Sequence, residues 1–152
     1  MTFSLCKIYV DEEKIKKQFK DSKRGINKFF SELFIYFYID KFKLDYVPKL
    51  INFSTEEYWF EISNVGTSLD KVYYRKSKRH LNHKLRELHN QFKNDTKYFH
   101  NDIRYKNVCL KDGKYFLIDF ENANFKFKDK NDDLILNESF CNKFESGKMG
   151  KI

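Results

Sequence analysis

The stretch that most limits how this chain can fold is "NVCLKDGKYFLIDF", residues 107–120. Asp112-Gly113 stands between two apolar runs there. Asp-Gly suits a two-residue hairpin turn, because both central positions of that turn need positive φ. The pattern predicts a strand at "NVCL", a turn at "KDGK" and a second strand at "YFLIDF". An antiparallel hairpin sets the ends of its strands side by side, so Asn107 and Asp119 lie on adjacent strands. His100, Asp102 and Arg104 crowd the polar loop that leads into the first strand.

The remaining elements follow from periodicity. "FSLCKIYV" alternates as a strand does, with Phe3, Leu5 and Tyr9 on one side and Lys7 interrupting that side. Residues 11–39 read as helix: a charged stretch "DEEKIKKQFK", a break at "DSKRG", then a longer apolar helix. Ile26, Phe29, Phe30, Leu33, Phe34 and Phe37 recur at three- and four-residue steps and are expected to form its core face. "YVPKLINFSTEEYWFEIS" reads as two strands joined at "STEE", and residues 69–92 as helix. Residues 145–152 are expected to fray. The predicted class is α+β, with helices inserted between antiparallel strands of a single domain over residues 1–144.

Composition removes several function classes. Seventeen Phe and ten Tyr among 152 residues are too aromatic for a disordered chain. The most apolar run, "FFSELFIYFYI", has eleven residues and contains Glu32, so no membrane span is expected. Cys6, Cys109 and Cys141 are far apart and form no CxxC pair, which argues against a zinc site or disulfide framework and for a cytoplasmic or other reducing compartment. The net charge of +8 reads first as a solvated, lysine-biased surface, and second as attraction to an anion such as nucleotide phosphate, nucleic acid or an acidic membrane. The densest basic run, "YYRKSKRHLNHK" at residues 73–84, offers a surface for phosphate, RNA or a protein, without a recognised nucleic-acid motif. His80, His83 and His89 lie on that helix at spacings of three and six, and read as a solvated face rather than metal ligands.

The polar loop carries chemistry. A loop carboxylate such as Asp102 can take a proton from an attacking hydroxyl. Asn107 and Asp119 offer oxygens to a hard cation, and Mg²⁺ takes few protein oxygens beside water and phosphate. Together these groups suit phosphoryl transfer.

"HNDIRYKN" matches the kinase catalytic-loop pattern H-x-D-x-x-x-x-N, and "IDFE" stands where kinases carry D-F-G. The chain therefore resembles the protein-kinase-like superfamily, and its wording is most similar to choline/ethanolamine kinases and aminoglycoside phosphotransferases. The resemblance implies a kinase-like fold with a reduced N-lobe, an antiparallel sheet plus helix at residues 1–63, and a minimal C-lobe at residues 64–144. It implies ATP and Mg²⁺ as cofactors and a hydroxyl acceptor on a protein or small alcohol. Asp102 would be the base, Arg104 would stabilise the transferred group, and Asn107 and Asp119 would hold the metal. His100 would brace the loop.

Upstream, "CKIY" resembles the strand that bears the phosphate-binding lysine, which makes Lys7 that lysine and Glu32 its partner. Backbone groups from Glu61 to Ser63 would meet the adenine. Six residues precede Lys7 and about thirty follow Glu121, so a Gly-rich loop and most of the helical lobe are expected to be missing. The alternative implied by those gaps is a weak or inactive pseudokinase-like binding or scaffold protein. A protein partner or a second copy could supply the missing lobe.

Overall fold

The computed structural model describes residues 5–72 and 79–128. The chain has a mixed α+β architecture, divided into two compact units at the Val65–Gly66 bond. Cys141, "LILNESF", the 145–152 tail and much of the basic run lie outside the described residues.

The first unit is a four-stranded antiparallel sheet with one long helix. Its strands are β1 (Cys6–Val10), β2 (Lys14–Phe19), β3 (Leu50–Ser54) and β4 (Trp59–Ser63), in the order β1-β2-β4-β3. Helix α1 (Lys23–Asp40) lies between β2 and β3 in the chain.

Strand β2 corrects the reading of "DEEKIKKQFK" as helix. Its charges obscure a period of two: Ile15, Lys17 and Phe19 point to one face, and Lys14, Lys16 and Gln18 to the other. The turn before it is set by Asp11, whose Oδ1 accepts from the N–H groups of Glu13 at 2.9 Å and Lys14 at 2.8 Å. "DSKRG" is no break but the start of α1. Ser22 caps the helix by accepting from Gly25 N–H at 3.1 Å. A Cβ at position 25 would stand 2.2 Å from the Lys20 carbonyl oxygen, so only glycine fits there.

Helix α1 is helical as expected, but a different stripe is buried. Gly25, Phe29, Glu32, Leu33, Tyr36 and Ile39 face inward. Phe30, Phe34 and Phe37, expected in the core, are 45%, 61% and 46% exposed. Phe29 packs edge-on to Phe19 and tilted to Phe60, and Tyr36 also meets Phe60. Phe19, Phe29, Tyr36 and Phe60 thus form the centre of this core.

The second unit holds β5 (Thr67–Ser68), α2 (Leu69–Val72), α3 (Arg79–Thr96), β6 (Val108–Lys111) and β7 (Lys114–Leu117). The helix expected over 69–92 is helical at Leu69–Val72 and from Arg79 onward, and residues 73–78 lie outside the described residues. The hairpin β6–β7 forms as predicted, with Asp112 at φ 51° and Gly113 at φ 77°. Short β5 adds a third strand beside β6. Leu81, Leu85, Leu88 and Phe92 form the buried stripe of α3, and with Ile103, Leu117 and Phe120 make this unit's core.

A candidate phosphoryl-transfer site

After α3, the bridge Phe99–Asn124 brings the polar loop against the segment beyond β7, through reciprocal N–H···O bonds of 2.7 and 3.0 Å. His100 is buried between Phe92 and Phe120. Its Nδ1 accepts from the Asp102 N–H at 3.1 Å, so its Nε2 carries the proton and donates to the Ile118 carbonyl at 2.7 Å. Ile118 is also held from the hairpin side, its N–H donating to the Asn107 carbonyl at 3.0 Å. Asp102, Asn107 and the residue before Asp119 are thereby fixed in one small frame.

Asp102 is 6% exposed, and both of its oxygens are engaged. Asn107 Nδ2 donates to Oδ2 and to the Asp102 carbonyl, each at 2.9 Å. Arg104 Nε stands 3.1 Å from Oδ1, and its Nη2 donates to Oδ2 at 3.4 Å. The Arg104 side chain is 52% exposed. With its amide nitrogen committed, Asn107 leaves its oxygen as the group able to coordinate.

Asp119 follows β7 in the left-handed region, at φ 62°. Its Oδ1 is buried and has no hydrogen-bond partner. A buried, unpartnered carboxylate oxygen is costly unless a cation meets it. The Asp119 and Asn107 oxygens therefore fit a hard cation that completes its shell with phosphate and water. Among the described residues, no group of three or more His, Cys, Asp or Glu is placed to hold a metal.

The first unit places the other expected residues differently. Lys7 is exposed on edge strand β1 and pairs in register with Gln18, so it points to the sheet face away from α1. Lys17, on the α1 face, makes the ion pair with Glu32 instead, Nζ to Oε1 at 2.5 Å. The alternation of β2 was the available signal, masked by its neighbouring lysines. Glu61 and Ser63 lie inside β4, a central strand whose main-chain groups serve its neighbours. Ser63 N–H donates to the Lys49 carbonyl at 2.9 Å, and Glu61 pairs with Lys14 at 2.7 Å. Ile8 and Val10, in register with Lys17 and Ile15, leave an apolar surface beside Lys17, 59% and 66% exposed.

Four hydrogen bonds had no sequence signal. Asn101, buried at φ 66°, donates through Nδ2 to the carbonyls of Asn122 at 3.1 Å and Lys126 at 3.0 Å. Its Oδ1 accepts from Lys128 N–H at 2.9 Å, which staples the segment after Asp119 to the loop. Tyr105 hydroxyl donates to Asn82 Oδ1 and anchors the loop on α3. His83 meets Glu87 at 2.8 Å on the exposed face of α3, whereas His89 turns inward between Phe99 and Phe127, so the two do not share a metal.

Among the described residues Cys6 and Cys109 form no disulfide, and burial pushes Cys109 up to about 11, with Asp70 adding to the shift. Among the described residues no helix is long and apolar enough to cross a membrane. No protein-family model matches the chain, and no curated protein matches it.

Proposed function

We propose that this chain is a kinase-like phosphotransferase that moves the γ-phosphoryl group of ATP to a hydroxyl acceptor. The observation that carries the reading is the orphaned Asp119 Oδ1 at the end of the hairpin that also presents Asn107, itself bonded to Asp102. Asp102 orients the acceptor hydroxyl. As its oxygen bonds to the γ-phosphorus, the proton passes to Asp102 and the bond to the β–γ bridging oxygen of ATP breaks, releasing ADP. Asn107 and Asp119 would hold Mg²⁺, which would neutralise charge on the phosphates. Arg104 holds Asp102 and turns its free N–H groups toward developing negative charge.

In this reading Lys17, not Lys7, is the phosphate-binding lysine, and Glu32 fixes its direction. Ile8 and Val10 suit the apolar face of a purine.

The test is ATP consumption by the wild type, Asp102→Ala, Lys17→Met and Lys7→Met. The reading expects loss in the first two variants, by about a hundredfold or more for the base, and wild-type turnover in Lys7→Met. Equal rates in wild type and Asp102→Ala would sink it.

A further inference from the structure

The sheet face turned away from α1 has a composition that phosphoryl transfer does not use. Residues paired across antiparallel strands share a face. One row across that face reads Lys7, Gln18, Trp59, Ser54, and the next reads Tyr9, Lys16, Glu61, Asn52. Lys14 lies one step further along β2. Two aromatic rings thus alternate with three lysines. The one acid in these rows, Glu61, is taken by Lys14 at 2.7 Å. Tyr9 is 53% exposed, and Lys16 Nζ stands 4.5 Å from the Trp59 ring centroid. A depression lined by Tyr9, Val10, Asp11, Lys14, Lys16 and Glu61 opens beside them.

We propose that this face binds single-stranded nucleic acid, with bases stacked on Tyr9 and Trp59 and phosphates on Lys7 and Lys16. Charge complementarity selects an anionic partner, since Lys7, Lys14 and Lys16 outnumber Asp11 and Glu61, and Glu61 is already paired. The rings select one with flat aromatic groups. Two strand spacings and one two-residue step put Tyr9 and Trp59 about 12 Å apart. One mononucleotide cannot cover both, so the occupant is a polymer. On binding, the Lys16 ammonium moves from the indole face to a phosphate and a base takes its place. This site is independent of Asp102 and Asp119.

Trp59 is the only tryptophan of the chain, so its emission reports this face directly. The full chain is titrated with oligouridylate, oligodeoxythymidylate, heparin and anionic vesicles at low and high salt. The proposal expects saturable quenching by the oligonucleotides, weakened as salt rises. It expects Kd to rise at least about tenfold in Tyr9→Ala, with recovery in Tyr9→Phe, as a stacking contact requires. Lys7→Glu weakens binding, and Asp102→Asn leaves it unchanged. The ratio of RNA to DNA affinity shows whether the 2′-hydroxyl is read. Absence of quenching at low salt, equal quenching by heparin or vesicles, or full affinity in Tyr9→Ala would each overturn it.

Discussion

Lys17 Nζ stands 2.5 Å from Glu32 Oε1, and the Glu32 side chain is 2% exposed. Removing one partner of such a pair strands a buried charge, whereas removing both does not. Lys17→Met should cost about 3 kcal/mol in urea denaturation, and adding Glu32→Leu should recover most of that loss. Lys7→Met, on the exposed strand, should change stability by less than about 0.5 kcal/mol.

Asp119 combines a positive φ with a buried oxygen that lacks a hydrogen-bond partner. Both features are unfavourable without a cation. Asp119→Gly relieves both and should stabilise the metal-free protein by about 1 kcal/mol. The same variant should lose every Mg²⁺-dependent change in stability. Denaturation with and without Mg²⁺ reads both effects, and a less stable metal-free variant would mean that the carboxylate already serves the fold.

Phe29 is fully buried and Phe34 is 61% exposed, although both belong to one apolar helix. Phe29→Ala should destabilise by about 3–5 kcal/mol, and Phe34→Ala by less than about 1 kcal/mol. Chemical denaturation of the two variants separates the buried stripe from the exposed one.

That contrast shows what the sequence conceals. Helix α1 is aromatic on several sides, so its periodicity fits more than one phase. The pairing of Glu32 with Lys17, which draws a charged residue into the core, decides the phase. The same tertiary contact hides in β2, where lysines on both faces disguise a strand as a charged helix. Hairpin β6–β7 was legible because its turn chemistry is local to Asp112 and Gly113. Asp102, Asn107 and Asp119 were legible because they flank that hairpin at fixed spacing. The Asn101 staple and the Tyr105–Asn82 anchor join distant segments, and no local pattern announces them.

Burial holds the His89 imidazole down at about 4, with Lys93 and His100 adding to the shift. The unfolded chain binds a proton there near pH 6.5, before the folded chain does. Its contribution is therefore complete above pH 6.5 and falls as pH falls toward the folded value. Stability should drop by about 2 kcal/mol more between pH 7 and pH 5 in the wild type than in His89→Leu. Urea denaturation at the two pH values measures the difference, and parallel losses in both proteins would place the titration elsewhere.

The most direct test of the proposed phosphotransfer site is thermal unfolding with ATP, with Mg²⁺ and with both, in wild type and Asp119→Asn. Saturating Mg²⁺-ATP at about a hundred times Kd adds about 2.7 kcal/mol, or roughly 5–10 °C in a chain of this size. The predicted result is that shift in the wild type only when nucleotide and Mg²⁺ are both present, and its loss in Asp119→Asn. No shift at millimolar nucleotide, or an equal shift in Asp119→Asn, would contradict the account.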